Sequence, residues 1–121
     1  GGAWTGFLST PMTAVIEMDG KTPYSSVTAS ALLDKGSHIM NPVSLMVMVS
    51  DDGENYTQVY AETYPAETAA DKDGMKEYTI TFPETTAKFI KIEVGCLEYI
   101  PDWLGGATHR AFIFIDEILV K

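Results

Sequence analysis

Apolar residues recur at every second position along most of this chain. Ala14, Ile16 and Met18 alternate with Thr13, Glu17 and Asp19, with Val15 the one exception. Val27, Ala29, Ala31 and Leu33 alternate with Ser26, Thr28 and Ser30. Tyr78, Ile80 and Phe82 alternate with Glu77, Thr79 and Thr81, and Ile90, Ile92 and Val94 with Lys91 and Glu93. Successive side chains of a strand point to opposite faces, so each pattern predicts a strand with one face in a core and the other in water. Two runs, 45–49 and 112–115, are apolar on both faces. In the first, Leu45, Val47 and Val49 share one face while Met46 and Met48 share the other, which predicts a central strand with a covered outer face. Periodicity alone leaves a buried helix open for so short a run, but β-branched and aromatic content favours strand. No window offers a long, capped amphipathic helix. The chain reads as all-β.

Turn chemistry fits that reading. Asp19-Gly20, Asp34-Lys35-Gly36, Asp51-Asp52-Gly53, Asp73-Gly74 and Gly105-Gly106 offer the positive-φ positions that tight turns demand. Asp52-Gly53, between the 45–49 run and the segment 56–60, marks the clearest hairpin. Many short strands at this spacing predict a two-sheet sandwich or barrel. Segment 63–76 is the most polar and is expected to be a long exposed loop. There is no linker, internal repeat or low-complexity tract.

Length changes the picture only by setting a limit: 121 residues suffice for one compact domain and not for two. The chain opens abruptly on Gly1-Gly2-Ala3, so residues 1–121 are expected to form one domain cut from a larger protein. The longest apolar stretches fall far short of the ~20 residues a membrane helix needs. Formal net charge is −9, which disfavours nucleic acids and anionic membrane surfaces and favours neutral or cationic partners. Cys96 is the only cysteine, so no internal disulfide can form, and no Cys/His ligand set for zinc is present. Its place after Ile90, Ile92 and Val94 predicts an inward-facing, inert thiol.

Catalytic constellations are missing. His38 and His109 are accompanied by no G-x-S-x-G elbow, HExxH, P-loop or dinucleotide fingerprint. Asp51-Asp52 lie in an expected solvent-facing turn, where burial cannot split their pKa values for acid–base work. Asp71-Lys72-Asp73-Gly74 has the look of a calcium loop, but an EF-hand would need an acid at Ala69 and a glutamate at Ile80. Asn55-Tyr56-Thr57 is a formal glycosylation sequon that coincides with the hairpin.

Several segments, in order, resemble a known family. Ser50-Asp51-Asp52-Gly53-Glu54-Asn55-Tyr56 resembles the "S-x-D-G-x-x-aromatic" hairpin of discoidin-like domains, also called coagulation-factor type C domains, which include carbohydrate-binding module family 32. The strand 87–94 resembles their "A-R-Y-V-R-hydrophobic" strand with lysine for arginine. The ending 114–120 resembles "x-x-E-I-x-V", and Trp4-Thr5-Gly6-Phe7 resembles an opening "W-x-G-F". A closer similarity is to the C-terminal domain of family-20 glycoside hydrolases (β-N-acetylhexosaminidases, or chitobiases) of Bacteroides-type gut bacteria. There "D-x-G-S-x-x-x-x-P" matches 34–42, and "P-D-W", a glycine-rich stretch and "A-[WF]-[LI]-F-[VI]-D-E-I" match 101–106 and 111–118.

The resemblance implies an antiparallel jelly-roll β-sandwich of the galactose-binding domain-like kind, here without the family's first strand. It implies a non-catalytic accessory domain of a secreted, periplasmic or cell-surface β-N-acetylhexosaminidase, with end loops that bind an N-acetylglucosamine- or galactose-containing glycan. The parent catalytic domain is the other implied partner. A domain that packs against that enzyme without binding ligand is the alternative. The resemblance makes no cofactor certain and leaves a structural calcium as an expectation for the intact protein, since many relatives carry one fed partly by an "L-x-D-G" loop before the "W-x-G-F" segment. Glu117 matches the glutamate their last strand donates, while the loop itself lies outside these residues and a hard cation needs ~6–8 oxygens.

Within that frame Trp103 is the leading ligand-binding residue. An indole face stacks on the C–H face of a sugar ring while Asp102 accepts from hydroxyls; the competing reading is a lid over the sandwich end. Tyr99, His109 and Arg110 would add an aromatic face and polar donors, the Arg110 guanidinium forking to vicinal hydroxyls or else pairing with a surface carboxylate. Asp34, Lys35 and His38 fall, with Ser37, where sugar-binding relatives place an arginine and polar neighbours. The plainer reading makes Asp34 the acceptor that caps a turn. Trp4 is expected to cover the core.

Overall fold

The computed structural model describes residues 3–9, 12–65, 71–105 and 109–121, with 3–9 and 102 described by backbone alone. The strands are β1 (Ala3–Ser9), β2 (Met12–Glu17), β3 (Tyr24–Leu33), β4 (Ser44–Ser50), β5 (Thr57–Thr63), β6 (Gly74–Thr85), β7 (Phe89–Gly95) and β8 (Ile113–Val120). They form two four-stranded antiparallel sheets, ordered β1-β8-β3-β6 and β2-β7-β4-β5. The chain passes repeatedly from one layer to the other, the jelly-roll habit that the family resemblance implied, within the two-sheet sandwich that periodicity and turn spacing predicted.

The alternation places the core. Met12, Ala14, Ile16 and Met18 from β2 and its end, Val27, Ala29 and Ala31 from β3, and Ile90, Ile92 and Val94 from β7 are buried between the layers with Ile113, Ile115, Ile118 and Val120. Their intervening neighbours Thr13, Val15 and Glu17 face water, so Val15 breaks the polarity pattern without breaking the register. Pairing Ile16 with Ile90 and Ala14 with Ile92 keeps both strands' inward sets on one face, and a one-residue slip would expose both sets. Tyr24 is buried with its hydroxyl donating to the Ala87 carbonyl at 2.7 Å, as a buried phenol requires.

The doubly apolar runs are central strands, β4 between β7 and β5 and β8 between β1 and β3. Leu45 and Val47 are buried, but Met46 and Met48 are only half-buried, so among the described residues none fully covers the outer face of β4. Strand β8 starts at Ile113; Phe112 makes an isolated bridge to Ile39. Cys96 is half-buried against the main core, and burial pushes its thiol up from its ordinary pKa. Trp4 pairs with Ile118 in β1, and its predicted covering side chain lies outside the described residues.

Positive φ falls at Gly20, Gly53, Gly74 and Gly105 as the turn residues predicted. The Asp34-Lys35-Gly36 turn differs: the left-handed position is His38, at φ 60°, rather than Gly36. A 3-10 turn over Lys35–Ser37, capped by Asp34, shifts the chain reversal two residues later than the glycine suggested. Between the pairs Tyr24–Thr85 and Ser26–Thr81, Ser25 alone stands against Phe82, Pro83 and Glu84. This bulge on an edge strand accommodates a proline that a central ladder could not.

Candidate functional site

Strand directions send the connections 34–43, 64–73 and 96–112 to one end of the sandwich and 18–23, 51–56 and 86–88 to the other. The long-loop end has its own small core. Leu33, Met40, Ile100 and Ala111 are buried together, with Leu97 and Leu104 packed against them. Met40 is fully buried, which contributes about 1.5–3 kcal/mol of transfer free energy to holding the loops down. Backbone bonds tie the loops together: Met40 N donates to Phe112 O at 2.7 Å, and Phe112 N donates to His38 O at 2.9 Å.

The connection from β7 to β8 folds back on itself. Ile100 N donates to His109 O at 3.0 Å and Ala111 N to Glu98 O at 3.1 Å, with Tyr99 bridged to Arg110. Ile100 and Ala111 turn inward, leaving Tyr99 and Arg110 outward. At the tip, a 3-10 turn over Asp102–Leu104 is closed by Leu104 N donating to Pro101 O at 2.9 Å. Leu104 packs onto the small core while Trp103 is 40% exposed. Gly105 at φ 122° lets the chain leave this turn where a side chain would strain it.

The predicted residues meet in two groups rather than one. Arg110 lies over the Tyr99 ring, 5.4 Å from its centroid, with a guanidinium nitrogen 3.6 Å from Glu98 Oε1. The expected pairing of Arg110 with a surface carboxylate is thus present, and the exposed ion pair leaves other N–H groups of the guanidinium available. His38 and His109 approach across the loops with ring centroids 5.2 Å apart, tilted by 44°. Asp34 is the turn cap: its Oδ1 accepts from Ser37 N at 3.3 Å and its Oδ2 from Ser37 Oγ at 3.1 Å. Lys35 turns away from Trp103's loop toward the connection from β5 to β6. Its ammonium bonds the Asp71 carbonyl and lies 3.8 Å from Asp73 Oδ1, which also accepts from Lys35 N at 3.1 Å. The Asp102 side chain lies outside the described residues.

On the side to which Lys35 turns, an open hollow of about 520 Å³ is lined by Asn41, Tyr64, Lys72, Lys76 and Tyr78 among others. The Asn41 Oδ1 is buried there without a hydrogen-bond partner. Tyr64 and Tyr78 meet edge to face at 5.0 Å, and the Lys76 ammonium lies 5.1 Å from the Tyr78 ring centre. These residues were not singled out from sequence. Asn41 stands one residue from Pro42 in a segment otherwise read as turn, and Tyr64 borders the polar loop, so neither carried a pattern.

A second hollow of about 520 Å³ crosses the outer face of the sheet β2-β7-β4-β5, with Met46, Ala61, Glu62, Glu93 and Gly95 in its lining. Glu117 sits elsewhere, in β8 opposite Thr5 and Ser30. Among the described residues, no three His, Cys, Asp or Glu side chains converge as a group that could hold a metal.

No family model and no curated protein matches this chain. Solved structures do. The CBM32 of AlyQ in complex with 4,5-unsaturated mannuronic acid is 16% identical with a TM-score of 0.56, over 98% of this chain and 76% of that one. CpGH89CBM32-5 from Clostridium perfringens, in complex with GalNAc-β-1,3-galactose, is 16% identical with a TM-score of 0.51, over 92% and 74%. CBM32-3 from a family 31 glycoside hydrolase from the same organism is 17% identical with a TM-score of 0.50, over 89% and 67%. The chain thus has the discoidin-like fold of family-32 carbohydrate-binding modules.

Proposed function

We propose that this chain is a non-catalytic carbohydrate-binding domain of a secreted or surface β-N-acetylhexosaminidase, and that its long-loop end holds the glycan. The observation that carries the reading is the exposure of Trp103 and Tyr99, each 40% exposed, on loops anchored by a core of their own. Monomeric domains bury most of their large aromatics, and two held outward on a supported platform suit stacking against sugar C–H faces. Arg110, oriented by Tyr99 and Glu98, supplies forked donors, and His38 and His109 supply further polar groups. The ligand class is an N-acetylglucosamine- or galactose-containing glycan. One shallow site gives weak affinity, about 0.1–10 mM, which attachment to an enzyme converts into useful avidity.

Titration with a panel of N-acetylglucosamine and galactose oligosaccharides tests this by chemical-shift mapping. Saturable shifts at Trp103, Tyr99 and Arg110 are expected. Silence at those positions with every saccharide at solubility-limited concentration overturns the reading.

A second reading is favoured by the open outer face of β4. Met46 is half-buried in the hollow, and on the same outer face Val15 is 50% exposed and Met48 half-buried, with Lys91 and Glu93 between them, a partly apolar surface suited to packing on a catalytic neighbour. It predicts that deleting the domain lowers the parent enzyme's thermal stability and leaves glycan retention unchanged.

A further inference from the structure

Two of the loops at the long-loop end are joined by histidines, and the arrangement has a use beyond sugar contact. The geometry points to a two-imidazole chelate, formed by His38 and His109, for a borderline transition-metal dication such as Zn2+ or Cu2+. Imidazole nitrogens bond zinc at ~2.0–2.1 Å, so two rings sharing one tetrahedral ion have centroids roughly 5 Å apart. His38 and His109 stand at 5.2 Å.

Three further observations support it. First, His38 is the one described non-glycine residue with positive φ, at 60°. Histidine, with asparagine and aspartate, enters this region more readily than other side chains, so the turn fixes the direction in which the ring leaves the backbone at modest cost. Second, the backbone fixes both residues before any ion arrives. His38 N donates to Lys35 O at 3.2 Å, His38 O accepts from Phe112 N, and His109 O accepts from Ile100 N. Third, the nearby cations are engaged elsewhere: Arg110 with Glu98 and Tyr99, Lys35 with Asp73 and Asp71. A net charge of −9 adds a general pull on cations.

No third protein ligand joins the pair among the described residues, so water or another small donor completes the coordination. Such a nitrogen-poor, open site prefers Cu2+ and Zn2+ and leaves Ca2+ and Mg2+, which need oxygen cages, unbound. An ion held there would staple the connection from β3 to β4 onto the connection from β7 to β8.

The inference uses two residues of the sugar-binding reading without resting on it, and its test contains no saccharide. A tag-free, chelator-stripped chain is titrated with Zn2+ and, separately, Ca2+, while the histidine ring resonances and the melting temperature are followed. One equivalent of Zn2+ should shift both rings and raise the melting temperature, and Ca2+ should do neither. His38→Asn keeps a residue that tolerates the left-handed backbone, and His109→Gln keeps a polar side chain. Each should weaken Zn2+ binding by at least about tenfold while the metal-free fold is retained. Zn2+ binding that survives both variants, or ring resonances unmoved by millimolar Zn2+, overturns the assignment.

Discussion

The two ends of this sandwich are built from opposite materials. At the short-turn end, polar side chains are occupied by their own backbone. Asp52 Oδ1 accepts from Glu54 N, Asn55 N and Ser50 Oγ, each at 2.8 Å, and its Oδ2 accepts from Asn55 Nδ2 at 2.7 Å. Asp19 Oδ1 accepts from Lys21 N and Thr22 N at 2.7 Å, and its Oδ2 from Thr22 Oγ1 at 2.6 Å. At the long-loop end Asp34 caps its own turn in the same way, but the loops as a set are shaped by an apolar cluster beneath them and by backbone bonds between them. Trp103, Tyr99, His38 and His109 are left facing outward or toward one another. A turn held by its own carboxylate has little left to offer a ligand. A loop held from beneath keeps its polar and aromatic groups for something else.

The contrast can be broken at its strongest point first. Met40→Ala removes a fully buried side chain from the small core and should cost about 2–5 kcal/mol in urea unfolding. Amide exchange should speed up around 34–43 and 96–105 and stay unchanged around Asp52. Exchange that rises equally at both ends would show that the small core has no separate role.

At the opposite end, Gly53 has φ 77°, and a β-carbon there would sit 3.4 Å from the Phe89 ring. Gly53→Ala should lower stability by about 1–2 kcal/mol, chiefly from the left-handed backbone. Chemical shifts at the long-loop end should not move.

Acid sharpens the comparison. Hydrogen bonds from Thr22, hydroxyl first and then amide, and from the Lys21 amide hold Asp19 at about 2. The amides of Asn55 and Glu54 hold Asp52 well below the usual carboxylate range. An unfolded aspartate titrates near ~3.9, so the unfolded chain takes up protons that the folded chain refuses. The stability these groups contribute is therefore whole above about pH 4 and is lost progressively as pH falls toward 2. The double variant Asp19→Asn, Asp52→Asn should flatten the dependence of melting temperature on pH in that window. An unchanged slope would count against the turns as its source.

The smallest effect on stability, within about 0.5 kcal/mol, is expected from Trp103→Ala because the indole is exposed. Glycan affinity should fall by at least about tenfold in the same variant. A large loss of stability would instead make Trp103 a structural residue.

Most of the architecture was legible because a strand's side-chain period is short and strict. The alternations at 14–18, 27–33, 78–82 and 90–94 each became strands with the predicted face buried. The loop end was legible only in part. Trp103 and Gly105 stood out by residue type, whereas His38's left-handed backbone was hidden behind a more obvious glycine two positions earlier. Lys35 was expected where sugar-binding relatives place an arginine; its pairing with Asp73 could not be foreseen, because ion pairing across loops depends on their relative placement, which no local pattern encodes. Asn41 and Tyr64 escaped for the same reason: a hollow is a property of three segments meeting.

Strand β6 ends on a bulge holding Pro83, with Lys76, Glu77 and Glu84 exposed along an outer edge of its sheet. Proline has no amide hydrogen to lend to a neighbouring strand, and the charges resist being stacked against copies of themselves. Molecules crowded side by side would therefore find no continuous ribbon along this edge on which to zip together. Each could hold its own ground, an advantage for anything whose purpose is to stay spread across a surface.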